Sequence, residues 1–467
     1  MNLTDDLRQR HARLSPYALK FLEFAAADPR RERRLDLWSS GLPDWVLSYP
    51  YQLQSWPTLL SGPKLREVSE VSTGFCRLIK SLPERLFEGD AERLSSYYGL
   101  PVALLEELLA GPSGVEGALA RGDYIDTESG LKCLEMNLSA QIGGWQLRMW
   151  ADAFLRCGPL AELVAREGLK LAYCDPFTVL LGHILDSVVK SDLAGPEVNV
   201  CAVCAPDVWG PHSPAIIRSF DQEYRALLGS RYGREGVFVC CGYDLLRNSG
   251  GRIYLGERRI HVLLEYNVTR TPPFVIDSFN RHEVQLYNGP MSRVWNDKRN
   301  LALLSEYQGS GLFDAGEEAF LRAHLPWTRL VVADFTEHQG ERVYLPDFIL
   351  ARRESLVLKQ ALAARGEGVF IGRSTPAERW EKVLAIALGQ NAWVVQEEVE
   401  SLPYLYQQGE SGAMLHDVVW GLFAFGDTFG GGFLRMIPTG LHGVINSAQG
   451  ATEGIFFEVV EPGSGNS

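Results

Sequence analysis

Within the stretch ARGDYIDTESGLKCLEMNLSAQIGGW stand a guanidinium at Arg121, carboxylates at Asp123 and Glu135, and an amide oxygen at Asn137. A hard cation takes oxygen ligands, and arginine grips phosphate or carboxylate oxygens in a fixed fork. These four groups together could therefore hold a metal ion against an anionic substrate. Whether they meet depends on strand geometry. Tyr124 to Thr127 and Leu131 to Leu138 read as two strands joined by the turn residues Glu128-Ser129-Gly130. Side chains alternate along a strand, so Glu135 and Asn137 project together while Leu134 and Met136 point to the other face. A three-residue loop sets Asp123 opposite Glu135 and Arg121 opposite Asn137. A two-residue loop shifts the register and turns Asp123 and Arg121 to the wrong face. The competing reading is a solvated hairpin with chance charges, but its polar face is not ordinary surface lysine and glutamate.

The chain around this hairpin has 467 residues, 46% hydrophobic and 22% charged, which suits two or three lobes of a globular protein. Its formal charge of -13 argues against nonspecific nucleic-acid binding and makes each lysine or arginine in a phosphate site count. The start, MNLTDDLRQRHARLS, has no apolar signal region, and no later apolar run is long enough to span a bilayer. The expectation is a soluble, cytoplasmic protein without a membrane partner. Eight scattered cysteines do not make a disulfide framework. Cys201 and Cys204 in VNVCAVCAP, and Cys240-Cys241 in VFVCCGYD, read as buried strand residues, since no second ligand pair at zinc spacing accompanies them.

Residues 1–120 read as mainly helical, 121–170 as the hairpin and a following helix, and 171–294 as an α/β lobe with a partly parallel sheet. In that lobe a hairpin runs from Arg252 to Leu255, turns at Gly256-Glu257, and returns from Arg258 to Tyr266. A third region, 295–460, opens with a helix capped by Asn296 or Asp297 and running through Tyr307. The strand SLVLKQA, the helix PAERWEKVLAIAL and the strand AWVVQEEVE follow. A long hairpin, HDVVWGLFAFGDTFGGGFLRMI, is expected to bend at Gly430-Gly431-Gly432. The last residues, 461–467, read as a disordered tail.

Lys359 ends the apolar strand and precedes a loop containing Gly366, Glu367 and Gly368. Backbone N–H groups of such a loop can close over polyphosphate oxygens, with lysine as a neutralising point charge. The loop is not the GxxxxGK[ST] type, and glycine-rich turns are common. The next strand ends in Gln396-Glu397-Glu398-Val399, which could offer backbone to an adenine edge and a carboxylate to a ribose. An edge strand with solvated acids is the plainer alternative.

In order along the chain, Lys298 at a helix start, Lys359 before a glycine loop, the QEEV strand end and Arg435 in a late hairpin resemble the ATP-grasp fold. RxDY followed by ExN and then Gly143-Gly144 resembles the eukaryotic-type glutathione synthetase and glutathionylspermidine synthetase branch of those ligases, which is circularly permuted. The resemblance implies an α/β (α+β) glutathione-synthetase-like fold in which 295–460 is the lid and nucleotide-binding region. It implies ATP and Mg2+, with Glu135 and Asn137 as metal ligands and Glu367 as a third. Lys298 and Lys359 hold ATP phosphates, with Gly366 and Gly368 in the covering loop. Gln396, Glu397 and Val399 lie along the nucleotide. Arg121 contacts the transferred phosphate or the acyl oxygen, and Arg435 the substrate carboxylate or a phosphate oxygen. Asp417, Asn446 and Gln449 are further candidates for nucleotide or metal contact. The implied reaction joins a small-molecule carboxylate to an amine, an amino acid or small peptide among them, with release of ADP and phosphate. A homodimer is common in the family. A nucleotide-binding protein that keeps the fold without turnover is the alternative. The chain departs from the family's triple-glycine loop, having RGEGVFIG, and has Leu264-Glu265-Tyr266-Asn267 where a substrate-reading arginine is expected.

Overall fold

The computed structural model describes residues 3–27, 41–110, 117–139, 142–156, 158–191, 193, 195–266, 268, 270–363, 367–407, 412–441 and 443–460. Gly366 and the segment 461–467 lie outside the described residues.

Aromatic and β-branched residues, which fit a pleated half-buried surface, build the central sheet. Its spatial order is Thr452–Gly454, Thr428–Pro438, Ala413–Phe425, Leu119–Thr127 and Gly130–Asn137, and Tyr404–Gln407 pairs with the start of Ala413–Phe425. Every pairing in it is antiparallel. The hairpin within it bends at Gly426-Asp427, between the paired Phe425 and Thr428, and not at the glycine triplet. Gly426 has the positive φ, 57°, that a tight two-residue turn needs. The triplet serves close approach inside the strand. A Cβ on Gly430 would meet the Phe425 ring at 2.4 Å, and one on Gly432 would meet Gly421 O at 2.6 Å. The long helix Gly62–Phe87 packs across this sheet, burying Val68, Val71, Phe75 and Ile79.

The middle lobe holds a four-stranded sheet, ordered Gln285–Tyr287, Val262–Glu265, Val200–Val203 and Phe238–Cys241, and all of its pairs are parallel. The hairpin turning at Gly256-Glu257 ends at Ile260 rather than Tyr266. Val262–Glu265 leaves it to become a central parallel strand, as a continuous buried run suits. Cys201 and Cys241 pack in this sheet's core, their sulfurs 3.4 Å apart as free thiols.

A third sheet, ordered Thr328–Leu330, Trp393–Glu397, Leu356–Gln360 and Val369–Ile371, is antiparallel and shares a separate core with the helix Ala377–Leu388. Between Tyr307 and Leu356 stand a helix, Ala315–His324, and a hairpin, Phe335–His338 with Glu341–Tyr344. Asp314 and Glu317 close a capping box on that helix, with the Asp-x-x-Glu spacing that such a box requires. Thr58–Leu60, Phe456–Val460 and Lys170–Ala172 form a small sheet from three distant stretches of chain. Among the described residues no helix is long and apolar enough to cross a membrane.

Candidate active site

Asp123 pairs with Glu135 and Arg121 with Asn137, the register that a three-residue turn would produce. The turn nevertheless has two residues, Glu128 and Ser129, because Thr127 already pairs with Gly130. The missing residue is recovered further on. Tyr124 pairs with Cys133, so Leu134 is an extra, unpaired residue before Glu135. Such a bulge bends the strand and breaks the alternation of its side chains. Leu134 accordingly lines the same cleft as Glu135, contrary to the strict alternation expected of it. The bulge also leaves a backbone carbonyl off the ladder, and Lys359 Nζ donates to Leu134 O at 2.8 Å.

Lys359 is the inner wall of this cleft. It projects from the strand Leu356–Gln360, is buried, and donates also to Gln396 Oε1 at 2.6 Å. Gln396 is held in turn by Thr328 Oγ1, which accepts from its Nε2 at 3.0 Å. Burial drives the Lys359 ammonium down to about 8, with Lys298 adding to the depression and Glu135 opposing it. Lys298 lies 3.2 Å from Glu135 Oε1 and donates to Ala363 O. It occupies the N-cap of the helix Arg299–Glu306, so neither Asn296 nor Asp297 fills that position. Asn296 instead accepts from Leu138 N at 2.9 Å, tying the Lys298 segment to the hairpin. Asp297 pairs with the buried Arg299.

On the sheet face, Asp123 links two guanidiniums. Arg121 Nε donates to its Oδ1 at 3.0 Å, and Arg435 Nη2 stands 2.7 Å from the same oxygen. Burial opposes ionisation of Asp123, but Arg121 and Arg435 outweigh it and hold the carboxyl below the usual range. Arg121 also donates to Gly143 O at 3.0 Å, which orders the Gly143-Gly144 loop. Both guanidiniums lie over the Phe433 ring, at 5.7 and 5.6 Å. Gly144 has φ 97°, and a Cβ there would meet Phe433 at 2.1 Å. Nε of Arg435 is buried without a hydrogen-bond partner among the described residues.

The cleft bounded by these groups measures about 430 Å³. Asp123, Glu135, Lys359, Gln396, Glu397, Val399 and Arg435 all reach its wall, as do Asp417 and Asn446. Glu397 Oε1 also stands 2.8 Å from His338 Nε2 and accepts from it when that nitrogen carries the proton. Asn446 caps the short turn Ser447–Gln449 by accepting from Ala448 N. Glu367 is exposed and does not reach the cleft wall. Gly368 accepts from Gln360 N through its carbonyl, at 2.9 Å and with φ 65°, which keeps the loop base against the Lys359 strand. Arg121 lies beyond the cleft wall, where Nε and Nη2 bind Asp123 while Nη1, at the exposed edge, spends one of its two hydrogens on Gly143 O.

Asn137 donates through Nδ2 to Arg121 O at 3.4 Å, and its Oδ1 accepts no hydrogen bond among the described residues. Glu135 and Asn137 thus offer one carboxylate and one amide oxygen on the same strand end. Among the described residues no cluster of three or more His, Cys, Asp or Glu is placed to hold a metal. That donor set suits Mg2+, which takes one or two protein oxygens and fills its octahedron with water and phosphate. Three contributors were not foreseen: the bulge at Leu134, Asp123 as the hub of two arginines, and Glu453, which pairs in register with Arg435. Only the last had a sequence signal, an acid in an otherwise small-residue tail.

By sequence, neither a protein-family model nor a curated protein matches the chain. Solved structures are similar to it, two of them as follows. A candidate γ-glutamylcysteine synthetase from Methylobacillus flagellatus matches with TM-score 0.40 and 11% identity over 83% of this chain and 88% of its own, too distant to argue from. The glutathione synthetase-like effector of Globodera pallida, in its apo form, matches with TM-score 0.55 and 11% identity over 89% of this chain and 95% of its own. That likeness is one of fold, and the chain has a glutathione-synthetase-like α/β fold.

Proposed function

We propose that the chain is an ADP-forming carboxylate–amine ligase of the circularly permuted ATP-grasp type. The observation that carries this reading is the meeting of Lys359, Glu135 and Gln396, from three separate segments, at one cleft, with Lys298 paired to Glu135 beside them. A lysine and a carboxylate on the wall, with a second lysine paired to that carboxylate, suit a polyphosphate with its cation, and the strand end from Gln396 to Val399 offers the edge along which a nucleotide would lie.

The carboxylate oxygen of the substrate attacks the γ-phosphorus, the bond to ADP breaks, and an acyl phosphate forms. An amine then attacks the acyl carbon, phosphate leaves, and one proton is released. Phosphoryl transfer of this kind needs positioning and charge neutralisation more than a protein nucleophile. Glu135 and Asn137 would hold Mg2+, which would supply positive charge against the phosphates. Lys359 and Lys298 neutralise the oxygens on the nucleotide side, each such preorganised donor being worth roughly 3 kcal/mol. Arg121 and Arg435, fixed side by side through Asp123, orient the carboxylate. The loop carrying Glu367 and Gly368 adjoins this wall, and closing it would exclude water from the acyl phosphate.

The test is ADP release from Mg-ATP with a panel of amino acids and small peptides. Activity is expected in the wild type and absent in Glu135→Ala and Lys359→Ala, with both variants folded. ADP release unchanged in Glu135→Ala would overturn the metal assignment, and none with any acid would overturn the ligase reading.

A further inference from the structure

The sheet face that carries Asp123 and Arg121 changes character along its length. Asp123, Arg121 and Leu119 alternate onto one side of their strand, and their register partners Gly421, Phe423 and Phe425 follow on the next. At the Asp123 end this face meets the nucleotide cleft. At the Leu119 end lies a separate chamber of about 100 Å³, whose wall includes Leu119, Phe425, Trp145, Leu180, Trp209 and Tyr266. A strand advances about 3.3 Å per residue, so Leu119 stands only about 7 Å past Arg121. The loop whose Gly143 carbonyl accepts from Arg121 also supplies Ile142 and Trp145 to the chamber.

A packing gap between lobes is the plain explanation, and one feature counts against it. The chamber is open on one side, so its aromatic and aliphatic walls meet water unless an apolar group covers them.

We propose that this chamber is a side-chain pocket for the carboxylate substrate, and that the activated acid carries a branched aliphatic or single-ring group. The placement of the carboxylate at Arg121 rests on the ligase reading above. Arg121 holds the acid function, and the group attached to it extends along the sheet face into the chamber.

Full-length protein with Mg-ATP and hydroxylamine as the amine gives the test. The acid's oxygen displaces ADP from the γ-phosphorus; hydroxylamine nitrogen then displaces phosphate from the acyl carbon, losing a proton and leaving a hydroxamate. 4-Methylpentanoate should exceed acetate in kcat/KM by about 100-fold, from the apolar surface it buries. Leu180→Trp fills the chamber and should collapse that ratio toward unity. Leu180→Ala enlarges it and should shift preference to 3-phenylpropionate, so that two opposite changes are read. Equal kcat/KM for the two acids in the wild type, or a ratio indifferent to both variants, overturns the pocket. Hydroxamate from no acid overturns the ligase reading instead. Binding of 4-methylpentanoate followed by tryptophan fluorescence then decides the pocket alone: binding abolished by Leu180→Trp supports it, and no binding to the wild type overturns it.

Discussion

Replacing Lys359 by methionine separates the cost of this site from its use. In the folded chain burial drives the ammonium from 10.5 down to about 8, a difference of about 3 kcal/mol against the charged form at neutral pH. Methionine fills a similar volume without that charge. The loss is the donor to Leu134 O and Gln396 Oε1, roughly 1 kcal/mol each. Lys359→Met should therefore be as stable as the wild type or more stable by about 1 kcal/mol in urea denaturation. Nucleotide binding should suffer in contrast. One buried charge-assisted contact to phosphate is worth about 3 kcal/mol, so the Kd for Mg-ATP should rise about 100-fold by calorimetry. The pH dependence follows from the same shift. Because the folded pKa is depressed, the unfolded chain binds more protons between about pH 8 and 10.5, and wild-type stability gains from this group as pH rises through that window. Mg-ATP affinity should hold below about pH 8 and weaken above it, and Lys359→Met should lose both dependences. A variant much less stable than the wild type with unchanged Mg-ATP affinity would show that Lys359 is a structural pin, and the reasoning would fail.

Three further outcomes are expected. Glu135→Gln keeps the shape of the strand end but removes its charge, so Mg2+-dependent ADP release should fall by about 100-fold or more while the melting temperature stays near that of the wild type. Asp123→Asn leaves Arg121 and Arg435 facing each other without their shared carboxylate and should cost about 3–5 kcal/mol in urea. Since the folded pKa of Asp123 is depressed, its contribution is present above the usual carboxylate range and is lost as pH falls through the folded value. Gly144→Ala drives a methyl into the Phe433 ring at φ 97° and should cost more than 2 kcal/mol, by an order-of-magnitude estimate. Gly440→Ala, with φ 92° and nothing within 4 Å, should cost about 1 kcal/mol and serves as its control.

What was legible in the sequence followed local rules. The apolar runs around Cys201 and Cys241 announced buried strands because burial on both faces leaves no alternation to read. Lys359 and Gln396 each stand near the end of an apolar run that reads as a strand, and it is the structure that pairs those two strands in one sheet. The glycine triplet misled, since glycine serves a turn and a close backbone approach equally well. Only the space around Gly430 and Gly432, set by Phe425 and Gly421 from the partner strand, decides between them. Asp123 looked like a metal carboxylate in a four-group surface. It proved to be the counter-charge of two arginines, one of them more than three hundred residues away in sequence.

The hairpin at the centre shows why register can be right while its cause is wrong. Counting three turn residues gave the pairs Arg121 with Asn137 and Asp123 with Glu135, yet the chain turns in two and inserts Leu134 instead. Both routes add one residue to the same strand, so the ladder beyond Glu135 is identical. They differ chemically at one atom. A three-residue turn would keep every later carbonyl on the ladder, whereas the bulge presents Leu134 O to Lys359 Nζ at 2.8 Å. A strand irregularity set by tertiary packing thereby positions the lysine of the candidate site. No propensity along residues 131–137 encodes it, because the partner that uses the freed carbonyl lies on another sheet.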